Sequence, residues 1–223
     1  MPRSVTLNRS DVCGLLALPV GELGTNCYLY WDPETLETAI IDPGDEPMRI
    51  LATLDRLQLH PTCILNTHGH ADHIAGNATL HRTTGARLLI HAADGEMLSD
   101  PAANLSVTYG PPVVSPPADA WLTPEEVLSF GRCQLRVLAT PGHTPGSVCL
   151  LGSGLLFSGD TLFALSIGRT DLPGGDPQRL SASLRLLRER VPWDTRVLPG
   201  HGPASSMDVE CRHNPFLQPG AYL

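Results

Sequence analysis

The segment from Thr67 to His73 carries the residues of this chain that are best suited to chemistry. It reads Thr-His-Gly-His-Ala-Asp-His, so three imidazoles and one carboxylate fall within six positions, His68 to His73. Side chains of these two kinds bind zinc, iron or manganese in preference to a soft ion that favours thiolates. The alternative is a polar loop with incidental histidines. We favour a metal site, because imidazole is the commonest metal-binding side chain and the pattern is dense.

Three more residues with the same chemistry follow, each in a turn or at the end of an apolar run. His143 lies in Pro-Gly-His-Thr-Pro-Gly, Asp160 in Ser-Gly-Asp-Thr, and His201 in Pro-Gly-His-Gly-Pro. The flanking glycines let the backbone approach a shared centre without a clash from a Cβ atom. Each could be an ordinary turn residue, but strand ends are where folds place functional side chains. We therefore expect all three to join the first cluster.

The hydrophobic pattern predicts the elements that must bring these motifs together. Strands are expected over Leu15–Val20, Cys27–Trp31, Thr38–Ile41, Cys63–Leu65, Leu88–Ile90, Val127–Phe130, Gln134–Ala139, Val148–Leu151, Leu155–Ser158 and Arg196–Leu198. Helices are expected over Glu46–Leu57, Asn77–Thr84 and Leu180–Arg190. Many strands, few helices and polar motifs at strand ends predict a layered α/β sandwich rather than a barrel or a bundle.

Residues 99–120 interrupt this rhythm with five prolines. A linker between two domains is one interpretation. Because strand patterns resume after the segment, we interpret it as a surface loop or flap inside one domain. We therefore predict that residues 1–223 form a single domain.

Composition argues against several classes of function. The net charge of −8 argues against nucleic-acid binding as the main role. All 15 cationic side chains are arginine, which excludes Schiff-base and amine-nucleophile chemistry by lysine. No run of about 18 apolar residues is present, so we expect no transmembrane helix and no membrane partner. With 42% apolar but only 5% aromatic residues, the core is expected to be aliphatic.

The six cysteines stand at positions 13, 27, 63, 133, 149 and 211, and no two form a Cys-x-x-Cys pair. Several lie in apolar runs that resemble strands. We interpret them as buried, reduced thiols of a cytoplasmic protein.

The order His-x-His-x-Asp-His, then His, Asp and His, resembles that of the metallo-β-lactamase-fold hydrolases. Asn26-Cys27-Tyr28 and Ile41-Asp42-Pro43-Gly44 are also similar to segments of that superfamily. Gly168-Arg169-Thr170-Asp171, the residues around His201 and Asn214-Pro215-Phe216-Leu217 resemble the short bacterial glyoxalase II-like proteins. The likeness runs from about Gly21 to the C-terminus.

The resemblance implies an αββα four-layer sandwich of the metallo-β-lactamase type with two divalent metal ions. Zinc is the preferred ion, with iron and manganese as alternatives. By carry-over, the first ion is held by His68, His70 and His143. The second is held by Asp72, His73 and His201, with Asp160 bridging both.

Other residues are candidates for supporting roles. Asp42 follows a strand and is expected to accept an N–H from a metal-binding histidine. Arg169 and Asp171 are weaker candidates for such support, and the alternative for them is a simple salt bridge within a loop. Tyr109, in the proline-rich segment, is a candidate substrate contact. Asp72 is also the candidate catalytic residue, because its carboxylate could hold or relay a proton of the nucleophile.

The activity that the resemblance implies is hydrolysis of a hydroxyacyl thioester, such as S-lactoylglutathione, to a hydroxy acid and a free thiol. A water bridging two ions near ~3.5–4 Å apart becomes a nucleophile at neutral pH. The leaving thiolate, with a pKa near ~8.5, needs little help from an acid. Longer glyoxalase II enzymes add a C-terminal helical region that contacts glutathione. This chain ends at Leu223 without it, so another thiol carrier is an open alternative.

Three other functions compete with this hypothesis. A persulfide dioxygenase of the same fold would bind one iron through His68, His143 and Asp160. A phosphodiesterase or nuclease is disfavoured by the acidic balance. A metal-stabilised binding module is disfavoured because a structural zinc site typically uses four ligands dominated by cysteine.

Overall fold

Two six-stranded sheets form the centre of the fold in the computed structural model, which describes residues 13–218 apart from the Tyr109 side chain. The first sheet keeps chain order: β1 (Gly14–Val20), β2 (Thr25–Trp31), β3 (Glu37–Ile41), β4 (His60–Leu65), β5 (Arg87–His91) and β6 (Ala120–Leu122). The second contains β7 (Val127–Phe130), β8 (Cys133–Ala139), β9 (Val148–Gly152), β10 (Leu155–Gly159), β13 (Arg196–Pro199) and β14 (Ser205–Ser206). A small hairpin is formed by β11 (Leu162–Phe163) and β12 (Ser166–Ile167).

Both sheets are mixed. In the first, β1, β2 and β3 are antiparallel, and β3 to β6 are parallel. In the second, the order is β14-β13-β10-β9-β8-β7, and only β10 and β13 pair in parallel. The helices are α1 (Pro47–Leu57), α2 (Ala71–Ile74), α3 (Asn77–Thr84), α4 (Ser106–Tyr109), α5 (Pro177–Arg190) and α6 (Met207–His213). Two 3-10 helices cover Ala92–Leu98 and Pro215–Leu217.

The apolar residues form three layers of core. Along β4, Ile64 packs outward against α1 and α3, whereas its neighbour Leu65 packs inward between the sheets. Successive strand residues face opposite sides, so one strand serves two cores. A third core, with Leu180, Leu184 and Met207, packs α5 and α6 on the outer face of the second sheet. The layers therefore run helix, sheet, sheet, helix, and the predicted αββα sandwich is confirmed.

Helix α5 starts three residues earlier than the sequence pattern predicted. The Asp176 side chain accepts hydrogen bonds from the main-chain N–H groups of Gln178 and Arg179, and Pro177 occupies the first turn. Both features are typical of a helix start, because they satisfy or remove N–H groups that have no partner within the helix. The apolar face alone predicted the helix start at Leu180, because it does not include the capping residue Asp176.

The proline-rich segment 99–120 is anchored rather than free of the core. Asn104 is buried, and its side-chain amide donates to the carbonyls of Met97 and Val113. The main-chain carbonyl of Asn104 accepts a hydrogen bond from the N–H of Ala71, at the start of α2. The segment contains α4 and leads into β6, two elements that the sequence analysis did not predict. The single-domain interpretation of residues 1–223 stays a prediction.

The expectation that all six cysteines are reduced is wrong. Cys13 and Cys133 form a disulfide between the start of β1 and the start of β8, with their Cα atoms 5.9 Å apart. Cys27, Cys63, Cys149 and Cys211 are free. The pair is separated by 120 residues, so sequence spacing could not reveal it. The cytoplasmic location loses the support of fully reduced thiols and stays a prediction. In residues 13–218, no helix combines the length and apolar character that crossing a bilayer requires.

Candidate metal centre

Strand β4 and helix α2 position the first group of candidate ligands. The strand ends at Leu65 and leads through Thr67 into the loop with His68, while Asp72 and His73 lie on α2. Gly69 makes this tight loop possible, since a Cβ atom there would come within 2.5 Å of the Met97 Cβ. The loop therefore packs directly against the 3-10 helix that contains Met97.

Three histidines from two separate loops meet at one point, and we call His68, His70 and His143 the first triad. The Nδ1 atom of His70 lies 2.9 Å from the Nε2 atom of His143. The other ring nitrogen of His143, Nδ1, donates to the main-chain carbonyl of Arg169 at 2.8 Å. This bond fixes the tautomer of His143 and leaves its Nε2 lone pair directed at the other two rings. All three side chains are buried.

A second group, Asp72, His73 and His201, forms beside the first, and we call it the second triad. The Nε2 atom of His201 lies 3.1 Å from Oδ2 of Asp72 and 3.3 Å from Nε2 of His73. Its Nδ1 atom donates to the carbonyl of Leu23 in the β1–β2 turn at 3.2 Å. The second triad thus offers two nitrogens and a carboxylate oxygen to one point.

Asp160 lies between the two triads. One carboxylate oxygen, Oδ1, is 3.4 Å from Nε2 of His73, and the other, Oδ2, is 3.7 Å from Nε2 of His143. Gly200 allows this approach, because a Cβ atom there would come within 2.2 Å of Asp160 Oδ1. The seven predicted ligands, drawn from four separate segments, are thus brought together.

The donor set fits metal ions. The Nε2 atoms of His68 and His70 and the Oδ1 atom of Asp160 are buried and have no hydrogen-bond partner among the described residues. Leaving buried polar atoms unsatisfied is costly, so a native structure rarely keeps several in one place without a ligand. Imidazole nitrogens and carboxylate oxygens are the donors that catalytic zinc and iron sites use. The cluster is therefore suited to binding divalent metal ions.

The two triads differ in their protonation. Burial, together with the neighbouring histidines, lowers the pKa of His70 to about 3 and that of His68 well below its usual range. Burial also opposes the charging of His73, but the carboxylates of Asp72, Asp160 and Asp42 outweigh it and raise its pKa to about 10. Without a metal ion, His68 and His70 are neutral at pH 7, whereas His73 holds a proton.

This difference predicts that the two ions respond differently to pH. A metal ion must displace the proton of His73, and the pKa of His201 is also raised, so affinity at the second triad should rise at least about tenfold per pH unit from pH 6 to 9. Affinity at the first triad should depend less on pH, because His68 and His70 have no proton to lose. Calorimetric zinc titration of the metal-free protein at several pH values measures both. Equal pH dependence for the two ions would contradict this assignment.

Asp42 contacts a candidate ligand directly, as the sequence analysis expected. Its Oδ2 atom lies 3.0 Å from Nδ1 of His73 and accepts from the Thr67 hydroxyl at 2.7 Å. Its Oδ1 atom accepts from the Thr67 main-chain N–H at 2.8 Å. Asp42 also has a φ of 49°, a left-handed conformation that is uncommon outside glycine and that clusters at functional sites. Through its bonds to Thr67 it holds the loop, and its close contact with Nδ1 orients the His73 ring.

Replacing Asp42 by asparagine should weaken metal binding about 10–100-fold, the usual effect of losing a residue that orients a metal ligand. If the new amide keeps the bond to the Thr67 N–H, its NH2 group faces Nδ1 of His73. The ring then carries its proton on Nε2, the nitrogen needed by the metal. Chelator competition measures the affinity, and Asp45→Asn, an exposed carboxylate nearby, is the control. Equal affinities for the two variants would show that Asp42 has no such role.

The other supporting candidates behave differently. The Arg169 side chain forms a two-pronged ion pair with Asp171, with both N···O distances at 2.7 Å. This is the loop salt bridge that the sequence analysis held as the alternative. Arg169 still supports the centre, but through its main-chain carbonyl, which accepts from His143. The side chain of Tyr109 lies outside the described residues, so its role as a substrate contact stays a prediction.

Sequence reasoning missed several residues that hold the ligands in place. The Thr25 hydroxyl donates to Oδ2 of Asp72 at 3.2 Å. The amide of Asn26 donates to the carbonyls of Pro199 and Gly202, on either side of His201. A signal for Asn26 existed, since it opens a motif shared with the resembled superfamily. Asp94, which contacts both loops of the first triad, gave no signal beyond following a strand.

Comparisons with known proteins agree with this geometry. A family model described as the metallo-beta-lactamase superfamily matches residues 20–205. Hydroxyacylglutathione hydrolase GloC of Haemophilus influenzae is 33% identical over 204 residues, which cover 90% of this chain and 96% of that protein. The crystal structure of the BLEG-1 B3 metallo-beta-lactamase has a TM-score of 0.88 and 39% identity, covering 92% of this chain and 100% of the other. That of TTHA1623 in a di-iron-bound form has a TM-score of 0.81 and 38% identity, with coverages of 91% and 100%.

Proposed function

The chain belongs to the metallo-beta-lactamase superfamily, and on that premise we propose that it is a dinuclear metal-dependent hydrolase of hydroxyacyl thioesters. The observation that carries the proposal is the second triad, Asp72, His73 and His201, beside the first, with Asp160 between them. The substrate class is of the S-lactoylglutathione kind, and the products are a hydroxy acid and a free thiol. The likeness to a hydroxyacylglutathione hydrolase supports this class.

The pair of triads favours two ions over one. A persulfide dioxygenase with a single iron would need only His68, His143 and Asp160 as ligands. The second triad would then have no role, although Asp72 and His201 approach within 3.1 Å and His73 is fully buried beside them. The related TTHA1623 has been crystallised in a di-iron-bound form, which supports a dinuclear site. We propose that both ions are zinc, with iron and manganese as alternatives.

Each triad has a distinct task in the proposed reaction. Bound divalent ions polarise a carbonyl and lower the pKa of water toward neutrality. His68 and His70 are neutral imidazoles at pH 7, so they can bind a metal ion without losing protons. Asp42 and the Arg169 carbonyl hold the rings of His73 and His143 in the required orientation.

Asp72 is the proposed proton carrier. Although burial opposes its charge, His73 and His201 lower its pKa, so the carboxylate is ionised at neutral pH. Its side chain is 26% exposed, whereas that of His73 is fully buried, so Asp72 lies on the side that a substrate can reach. The Asp72 carboxylate is therefore placed to accept a proton from an attacking water. A thiolate leaves with a pKa near ~8.5, so no separate acid is required.

A substrate panel on the zinc-loaded protein tests this proposal. It contains S-lactoylglutathione, the same acyl group on two uncharged thiols, and a β-lactam. Glutathione persulfide is tested on the iron-loaded protein with an oxygen electrode, because zinc has no redox chemistry. We expect hydrolysis of at least one lactoyl thioester with kcat/KM above about 10⁴ M⁻¹s⁻¹, within the usual range for enzymes. Metal-free protein is the control. Oxygen uptake on the persulfide, or β-lactam hydrolysis without thioester turnover, would overturn the assignment.

A further inference from the structure

A buried carboxylate outside the ligand set joins the two loops that carry the first triad. Asp94 lies in the 3-10 helix that follows β5, and its side chain is fully buried. Oδ2 accepts from the main-chain N–H of Gly69 at 3.0 Å and from the hydroxyl of Thr144 at 2.6 Å. Oδ1 accepts from the main-chain N–H of Gly146 at 2.6 Å. One carboxylate thus receives three donors from two loops.

These donors are immediate neighbours of the first triad. Gly69 stands between His68 and His70, and Thr144 follows His143. The first of these loops leaves the first sheet after β4, whereas the second connects β8 and β9 of the second sheet. Asp94 therefore links the two sheets at the edge where the histidines meet.

The packing around Asp94 leaves little freedom. A Cβ atom on Gly146 would come within 2.6 Å of the Asp94 carboxyl carbon, and one on Gly69 within 3.2 Å of its main-chain oxygen. Both loops therefore lie directly against this residue. One further main-chain bond connects the same segments, from the Val148 N–H to the Thr67 carbonyl. Loss of Asp94 should therefore loosen the loops without separating them.

We propose that Asp94 is a positioning residue that sets the spacing of His68, His70 and His143, and hence the affinity for the first metal ion. This inference rests on the proposed function, because it assumes that the first triad binds a metal. Asparagine cannot replace Asp94, since it offers one acceptor oxygen and an NH2 group. That NH2 group would face the N–H of Gly69 or Gly146, so at least one buried donor would lose its partner.

The test compares Asp94→Asn with Asp32→Asn. Asp32 is also fully buried and also accepts two main-chain N–H groups, from Glu34 and Arg132. Asp32 directly follows the last residue of β2. Thr25, which contacts Asp72, is the first residue of that strand, so Asp32 lies at the other end. Both variants lose a similar set of bonds, so both should lower the melting temperature. Only the Asp94 variant is expected to change metal binding.

Cobalt(II) titration with absorption spectroscopy and chelator competition measures the metal sites directly. For Asp94→Asn we expect one of two cobalt ions to bind about 10–100-fold more weakly, with a changed visible spectrum. Asp32→Asn should bind both as the parent protein does. Thr144→Val removes one of the three donors to Asp94, so it should weaken binding of the same cobalt ion by a smaller factor. This variant provides the test if Asp94→Asn does not fold.

The outcomes separate the two claims. If the parent protein binds two cobalt ions and both Asp94→Asn and Thr144→Val leave their affinities and spectrum unchanged, the positioning role is overturned while the metal centre stands. A weakening of equal size in Asp32→Asn would also overturn it, since the effect would then be general destabilisation. If the parent protein binds no cobalt, the proposed function itself fails.

Discussion

Replacing Asp160 by asparagine is expected to reduce kcat/KM for thioester hydrolysis roughly a thousandfold. Asp160 lies between the two triads, with Oδ1 3.4 Å from Nε2 of His73 and Oδ2 3.7 Å from Nε2 of His143, so it is placed to serve both proposed metal positions. Asparagine keeps the shape of the side chain, but it offers only one neutral oxygen, and its NH2 nitrogen cannot bind a metal. A thousandfold reduction corresponds to a loss of about 4 kcal/mol in transition-state stabilisation. This loss is within the several kcal/mol that a metal ion contributes.

Steady-state kinetics together with metal analysis measure this effect. The matched control is Asp171→Asn, which changes an exposed carboxylate in the neighbouring loop whose partner is Arg169. This control should retain both ions and stay within a few-fold of the parent activity. If Asp160→Asn kept two ions per chain and full thioester turnover, a bridging role for Asp160 would be ruled out.

Removal of the metal ions should lower the melting temperature by roughly 10 °C. Ions present at about a thousand times their dissociation constant stabilise a protein by about 4 kcal/mol, and each kcal/mol shifts the melting temperature by about 2–4 °C at this size. The centre joins both sheets, since His68 follows β4 and His201 follows β13. Without ions, the buried Nε2 atoms of His68 and His70 and the buried Oδ1 atom of Asp160 have no hydrogen-bond partner among the described residues.

Calorimetry with and without a chelator, followed by addition of zinc, gives the measurement. A chelator already saturated with zinc is the control and should leave the melting temperature unchanged. The Asp160→Asn variant should respond less to the chelator than the parent does. A parent protein that is demonstrably free of metal and melts at the same temperature as the loaded form would show that the fold does not depend on this site.

Local patterns were sufficient to predict most of the elements and the residues that cluster at the candidate metal centre. The helix over Asn77–Thr84 and the strand over Val127–Phe130 match the predicted bounds, because apolar spacing and turn residues delimit them clearly. The histidine loop was recognisable because its residues are adjacent in sequence. His143, Asp160 and His201 were predicted by glycine-framed turns, and the structure brings them to that loop.

Features that depend on distant partners could not be predicted in this way. The Cys13–Cys133 disulfide spans 120 residues, and Asp94 lies 50 residues from Thr144. No local sequence pattern indicates that Cys13 pairs with Cys133 or that Asp94 contacts Thr144. Strands β6, β11, β12 and β14 have only two or three residues each, too short for a recognisable alternation. They form because neighbouring strands supply hydrogen bonds, which is a property of the assembled sheets.

The most direct test of the central claim is the metal-to-protein ratio, measured by mass spectrometry alongside thioester turnover. We expect two divalent ions per chain in the active protein. Stepwise removal should abolish hydrolysis in proportion to the ions lost, and zinc should restore it. A protein that is fully active with one iron per chain, or with no metal at all, would contradict the account.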